Sequence, residues 1–180
     1  MYKHCTTEES VLRQRQLEHC LLDLMQTVPY TQITITDICN LADISRKSFY
    51  RYFGSKEDCL HALIDHSIFD GASHCLPEYS ETSQNAALFT RFFHYWNEKS
   101  PLLDALSKNN LSTCLAERMV RYVNQEEPDY YYYLGGNMSD SCEGVMFMIS
   151  GLVGLIFHWH STGFRKTPAQ MAAALEKILQ

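Results

Sequence analysis

Residues 45–56 read SRKSFYRYFGSK and hold Arg46, Lys47, Arg51 and Lys56 with no acid among them. Phe49, Tyr50, Tyr52 and Phe53 are threaded between those cations. Guanidinium and ammonium groups pair with phosphate, and arginine also matches the edge of guanine. Serine and tyrosine hydroxyls can hydrogen-bond to either. The chain of 180 residues is nevertheless acidic, with 15 Lys/Arg against 21 Asp/Glu and a formal net charge of −6. Residues 1–56 carry a net charge of +1 and residues 57–180 a net charge of −7. A polyanion would therefore be repelled by most of the surface and drawn to one region.

Other chemistries find less support. No Gly-x-Gly-x-x-Gly, phosphate-binding loop, Gly-x-Ser-x-Gly or His-Glu-x-x-His occurs, so the chain is not expected to be an enzyme. Histidine precedes cysteine at His4-Cys5, His19-Cys20 and His74-Cys75, and His158 and His160 flank Trp159. Helical neighbours diverge by about 100°, so such a pair does not readily chelate one ion. We expect no metal site and no cofactor. The seven cysteines lack short Cys-x-x-Cys spacings, which fits reduced thiols in the cytoplasm. The opening MYKHCTTEES has no apolar core and predicts no signal peptide. The longest apolar run, residues 145–159, has fifteen residues, short of the ~20 a membrane span needs. No membrane association is expected.

The cationic segment needs elements to hold it. No stretch alternates with period two, and helical spacing dominates, so the fold is expected to be all-α with about nine helices. The first runs from about Glu8 to Val28, capped by Thr6 or Thr7 and stopped by Pro29. Two very short helices follow, near 35–42 and 46–53, capped by Thr34 and Ser45. Helices of two turns have little stability of their own, so Ile35, Ile38, Leu41, Ile44, Phe49 and Phe53 must anchor them by packing. Ser55 caps a fourth helix that reaches about Asp70, and a break is expected over residues 71–80. Further helices are placed near 82–98, 101–108, 111–132, 140–162 and 168–179. Pro101 and Pro168 suit first-turn positions.

Two short helices joined by a tight turn, the second rich in cations, describe a helix-turn-helix. With Phe49 and Phe53 inward, Lys47, Ser48, Tyr50 and Arg51 lie away from the buried stripe. The free amides that open the helix after Ser55 could hold a phosphate beside Lys56. This stretch resembles the DNA-binding domain of the tetracycline-repressor-like (TetR) family. Ser45, Phe49, Tyr50, Tyr52, Phe53, Ser55, Lys56, Glu57 and Leu60 fit that family's pattern without a gap. Asp43 departs from it, standing where the family has glycine in the turn. Asp tolerates left-handed backbone better than most residues, so the turn is expected to survive. The resemblance implies a DNA-binding domain over residues 1–60 and a helical effector and dimerisation domain over 61–180. It also implies that Arg46, Lys47, Ser48 and Tyr50 read the groove, while Thr34, Thr36, Tyr52 and Lys56 contact phosphates.

The closing segment, GVMFMISGLVGLIFHWHSTGFRKTPAQMAAAL, resembles a TetR subgroup that includes regulators linked to dihydroxyacetone kinase operons. Gly151, Gly154, Trp159, Gly163 and Pro168 carry that likeness. In the family the last two helices form a four-helix bundle with a second subunit. That implies a homodimer interface at Met148, Leu152, Leu155, Trp159, Leu175 and Ile178. Phe89, Phe92, Phe93, Tyr95 and Trp96, with Met146 and Phe147 opposite, could line an effector pocket for a flat aromatic, apolar or cationic small molecule. Aromatic stripes on helices are more often core, so the same residues could instead be filled core. The resemblance implies a cytoplasmic homodimer on a near-palindromic double-stranded operator, acting as a repressor released by a small-molecule effector. Control by a protein partner, or by thiol or metal sensing, is the alternative.

Overall fold

The computed structural model describes residues 2–75, 85–125 and 142–179. Those residues form nine helices and no strand. They are α1 (Glu8–Thr27), α2 (Ile35–Leu41), α3 (Arg46–Phe49), α4 (Lys56–Cys75), α5 (Asn85–Glu98), α6 (Ser100–Lys108), α7 (Ser112–Gln125), α8 (Cys142–Ser161) and α9 (Pro168–Leu179). The tyrosine run 130–133 and the loop 134–140 lie outside the described residues.

Local chemistry sets the helix starts. Thr7 caps α1 by accepting from the Ser10 amide, with Glu8 and Glu9 at the positive end of the helix dipole. Thr167 and Gln170 cap α9 reciprocally: the Gln170 amide donates to Thr167 Oγ1 at 3.2 Å and the Thr167 amide to Gln170 Oε1 at 2.8 Å. Pro101 stands in the first turn of α6. At the end of α8, Gly163 and Phe164 both adopt left-handed backbone. Phe164 is held there by its amide N–H, which donates to Trp159 O, and by its ring, edge-on to Trp159 at 4.8 Å.

One buried cluster runs through the molecule. Leu17, Leu21 and Met25 of α1 meet Ile38, Phe49 and Phe53 of the short helices, and Leu60, Leu63 and Ile64 of α4 continue that core. α4 also packs on α5 and α7, while α9 lies along α5 and α8 rests on α6 and α7. The expected break at 71–80 is corrected over its first half: α4 runs unbroken through Gly71 to Cys75. Gly71 serves close approach instead. A Cβ there would stand 2.7 Å from Tyr95 Cε1, and the Tyr95 hydroxyl is fixed by donating to Ser67 O at 2.5 Å. The division expected at residue 60 falls inside this helix.

The faces of α8 divide between the protomer's core and its surface. Met148, Leu152 and Trp159, with Leu175 of α9, are buried by their own chain, so little of them is left for a partner. Leu155 is half-buried, and Ile178 is 67% exposed. Met146 and Phe147, expected in a pocket, are instead 50% and 70% exposed. Phe89, Phe92, Phe93, Tyr95 and Trp96 are buried ring against ring, with Phe92–Phe93 at 5.4 Å, Tyr95–Trp96 at 5.6 Å and Phe93–Trp159 at 5.6 Å. Residues 143–161 are long and apolar enough to cross a membrane, but Val145, Ile149, Leu152, Val153 and Ile156 of that helix are core residues here.

Candidate nucleic-acid interface

α2 and α3 are built by their caps and by their buried side chains. Thr34 Oγ1 accepts from the Asp37 amide at 3.2 Å, and Asp37 Oδ2 accepts from the Thr34 amide at 2.8 Å. The Thr34 hydroxyl and, after it, the Thr34 amide donate to the Asp37 carboxyl and hold it below the usual carboxylate range. The hydroxyl of Thr34 also donates to Asp37 at 2.7 Å, whereas Thr36 is simply exposed. Between the helices Asp43 takes φ 51°, the left-handed geometry that glycine supplies more cheaply. Ser45 Oγ accepts from the Ser48 amide at 3.1 Å and starts α3. Only four residues are α-helical there, shorter than the expected 46–53, but turns carry the chain on to Phe53, whose amide donates a hydrogen bond to Phe49 O at 3.1 Å.

Phe49 and Phe53 are buried with their rings 5.5 Å apart, and that stripe orients the rest. Arg46, Lys47, Tyr50 and Arg51 are exposed, while Ser48 and Tyr52 are half-buried. Arg46 Nη2 approaches the Tyr50 hydroxyl at 3.4 Å, which extends the guanidinium along the outer face. Ser55 caps α4 by accepting from the Asp58 amide at 3.1 Å. The result is an acid-free, cationic outer face over an aromatic anchor. It can hold phosphates and reach base edges in a groove.

Lys56 differs from the other expected phosphate ligands. Its ammonium donates to Tyr30 O at 2.6 Å and to Ile33 O at 2.7 Å, and lies 4.2 Å from the Tyr30 ring centroid. The group pins the 30–33 turn to the start of α4, so two of its three donors face protein carbonyls. Lys56→Met should therefore lower stability by about 2 kcal/mol, by removing two charge-assisted bonds. The measurement is the urea midpoint at unchanged slope. An unchanged midpoint, with weaker DNA binding and a flatter salt slope, would make Lys56 a phosphate ligand instead.

Sequence reasoning missed a cleft of about 760 Å³ between the N-terminal segment, α1, α4 and α7. Its lining runs from Tyr2 to Tyr122 in four separated segments, so no local spacing announces it.

Comparison with known proteins agrees with this geometry. Residues 22–63 match the family described as bacterial regulatory proteins, tetR family. Residues 84–180 match the family described as transcriptional regulator C-terminal region. The dhaKLM operon transcriptional activator DhaS of Lactococcus lactis is 34% identical over 58 residues. That alignment takes in about a third of each protein, 32% of this chain and 31% of the relative. Solved structures of similar fold include the dihydroxyacetone kinase operon activator DhaS, at TM-score 0.57 and 17% identity over 94% of each chain. A TetR-family regulator from Syntrophomonas wolfei has TM-score 0.65 at 18% identity, over 94% of this chain and 93% of its own. The fatty acid degradation regulator FadR of Bacillus halodurans has TM-score 0.64 at 14% identity, over 98% and 96%. At those identities the structures speak for the fold alone.

Proposed function

The chain belongs to the tetR family of bacterial regulatory proteins, and we propose that it binds a near-palindromic double-stranded operator as a homodimer. The observation that carries this reading is the exposed set Arg46, Lys47, Tyr50 and Arg51, held outward by buried Phe49 and Phe53. Arg46, Lys47, Ser48 and Tyr50 read the groove. Thr36 and Tyr52 lie beside them to bind phosphates.

The dimer forms through the outer face of α8. Glu143, Met146, Phe147, Ser150, Gly151, Gly154 and His158 are exposed along it, at helical spacing and with apolar or small side chains at most positions. A Cβ added at Gly151 or Gly154 would meet nothing within 4 Å in the single chain. Their smallness therefore serves no packing within the protomer, and it suits close approach of a second helix. Leu155 and Ile178 remain in the proposed interface as flanking residues, since both keep exposed surface.

Control, in our reading, is release from the operator by a small-molecule effector, giving repression where the operator overlaps a promoter. The L. lactis relative is named an activator, so operator placement sets the sign. The effector must favour the DNA-free geometry, since equal affinity for both states shifts nothing. Thiol sensing is disfavoured at the buried cysteines, where burial pushes the Cys20, Cys39, Cys59 and Cys75 thiols up, Cys75 to about 11. Among the described residues no three His, Cys, Asp or Glu side chains gather to hold a metal.

The test is selection of bound genomic fragments by the purified protein. We expect recovery of a motif with two inverted half-sites about one helical turn apart. Fragments sharing no motif would overturn the reading.

A further inference from the structure

We propose that the cleft between the N-terminal segment, α1, α4 and α7 is the effector site, and that its ligand is a small amphipathic organic anion. This deepens the effector reading above and rests on it. The cleft's volume of about 760 Å³ falls within the range of small-molecule sites.

The floor is polar. Asp65 of α4 accepts from the Tyr2 hydroxyl at 2.7 Å, from Arg118 Nε at 2.5 Å and from Arg118 Nη2. That leaves three of the five guanidinium donors of Arg118 to spare. One turn earlier on the same face, His61 is half-buried, and no hydrogen bond to its ring occurs among the described residues. Burial and the nearby Arg118 charge lower the His61 pKa, which keeps the ring neutral with one N–H to donate. Arg15 is paired with Asp70 at 2.9 Å and lies 3.9 Å from Glu18, and Arg118 is paired with Asp65, so formal charges along the cleft offset one another and the groups left to meet a ligand are the spare N–H donors of Arg118 and the His61 ring. Such a floor suits an anionic head.

The other end is apolar. Phe69 lies eight residues along α4 from His61 on the same face and is 53% exposed, and Val11 of α1 is 38% exposed. Eight helical residues span about 12 Å, which sets the length of an apolar body reaching from the head to Phe69. The site touches the reading unit directly. Tyr2 lines the cleft, and the next amide, Lys3 N, donates to Tyr52 O at 3.1 Å, in the turn that follows α3.

The test is calorimetric titration of the full chain with octanoate, octyl phosphate, octanol and acetate. Octanoate or octyl phosphate should bind at least ten-fold more tightly than octanol and acetate, and the better of the two identifies the head. His61→Ala and Phe69→Ser should each weaken that binding at least ten-fold. Phe69→Ser alters an exposed side chain, so it carries the test if His61→Ala fails to fold. Absent binding, equal affinity for octanol, or affinity unchanged in Phe69→Ser would overturn the site. Operator binding measured without ligand separates the two readings. Intact operator binding with no anion binding removes the cleft alone, and anion binding without any selected operator removes the regulator reading.

Discussion

Phe147→Asp should turn the dimer into monomers and reduce operator affinity by a factor of about 10²–10⁴, the gain that joining two binding modules supplies. The side chain is 70% exposed on α8, beside exposed Met146, Gly151 and Gly154. Two copies of that face meeting would bury two unpaired carboxylates, which is costly in a dry interface. The protomer itself should be untouched, because the replaced ring covers none of its core. Circular dichroism and the helical content of the monomer should match the wild type. Leu152→Asp makes the contrast: that side chain is buried, and its substitution should unfold the chain rather than split the dimer. Light scattering at micromolar concentration and fluorescence anisotropy with operator DNA read both effects. A Phe147→Asp protein that remains dimeric with full affinity would move the interface elsewhere.

The double substitution Arg46→Ala, Lys47→Ala should lower operator affinity by about 10²–10³. Four cations leave the dimer's DNA face, two per protomer, and each phosphate no longer neutralised should flatten the salt slope by about 0.9. Because both side chains are proposed to read the groove as well as to offset backbone charge, the recovered motif should also change within each half-site. Arg91→Ala removes an exposed cation of α5 and should leave affinity and slope alike. Equal effects of Arg91→Ala and of the double substitution would mean only that net charge matters, and the assigned face would fall.

The sequence was legible where local chemistry decides structure. Thr7, Thr34, Ser45 and Ser55 cap as hydroxyl residues before helical spacing should, and the left-handed Asp43 fits the family's glycine position. It was not legible where two faces look alike. Residues 145–159 are apolar nearly all round, so hydrophobic periodicity cannot say which stripe meets the core and which remains outside. Only tertiary packing separates Met148 and Leu152 from Met146 and Phe147. The aromatics of α5 posed the same ambiguity between pocket lining and core, and their spacing alone gives no way to choose. Gly71 read as a break because glycine punctuates helices on average, whereas here it admits the Tyr95 ring. The cleft escaped notice because Tyr2, His61, Phe69 and Arg118 converge only once α1, α4 and α7 have packed.

The unbroken course of α4 has a mechanical consequence. Twenty residues make a rod about 30 Å long. Its first turn is tied to the 30–33 turn by Lys56, and its last turns are wedged against Tyr95. A rod pivoting by about 5° displaces its far end by about 2.6 Å, so in the proposed dimer two symmetry-related rods would change the separation of the reading heads by about 5 Å against the 34–36 Å pitch they would have to match. A flexible link at residue 71 would dissipate that rotation. In the proposed dimer an intact rod would act as a lever arm, and modest angular changes at one end would suffice to put the two heads out of phase with the duplex.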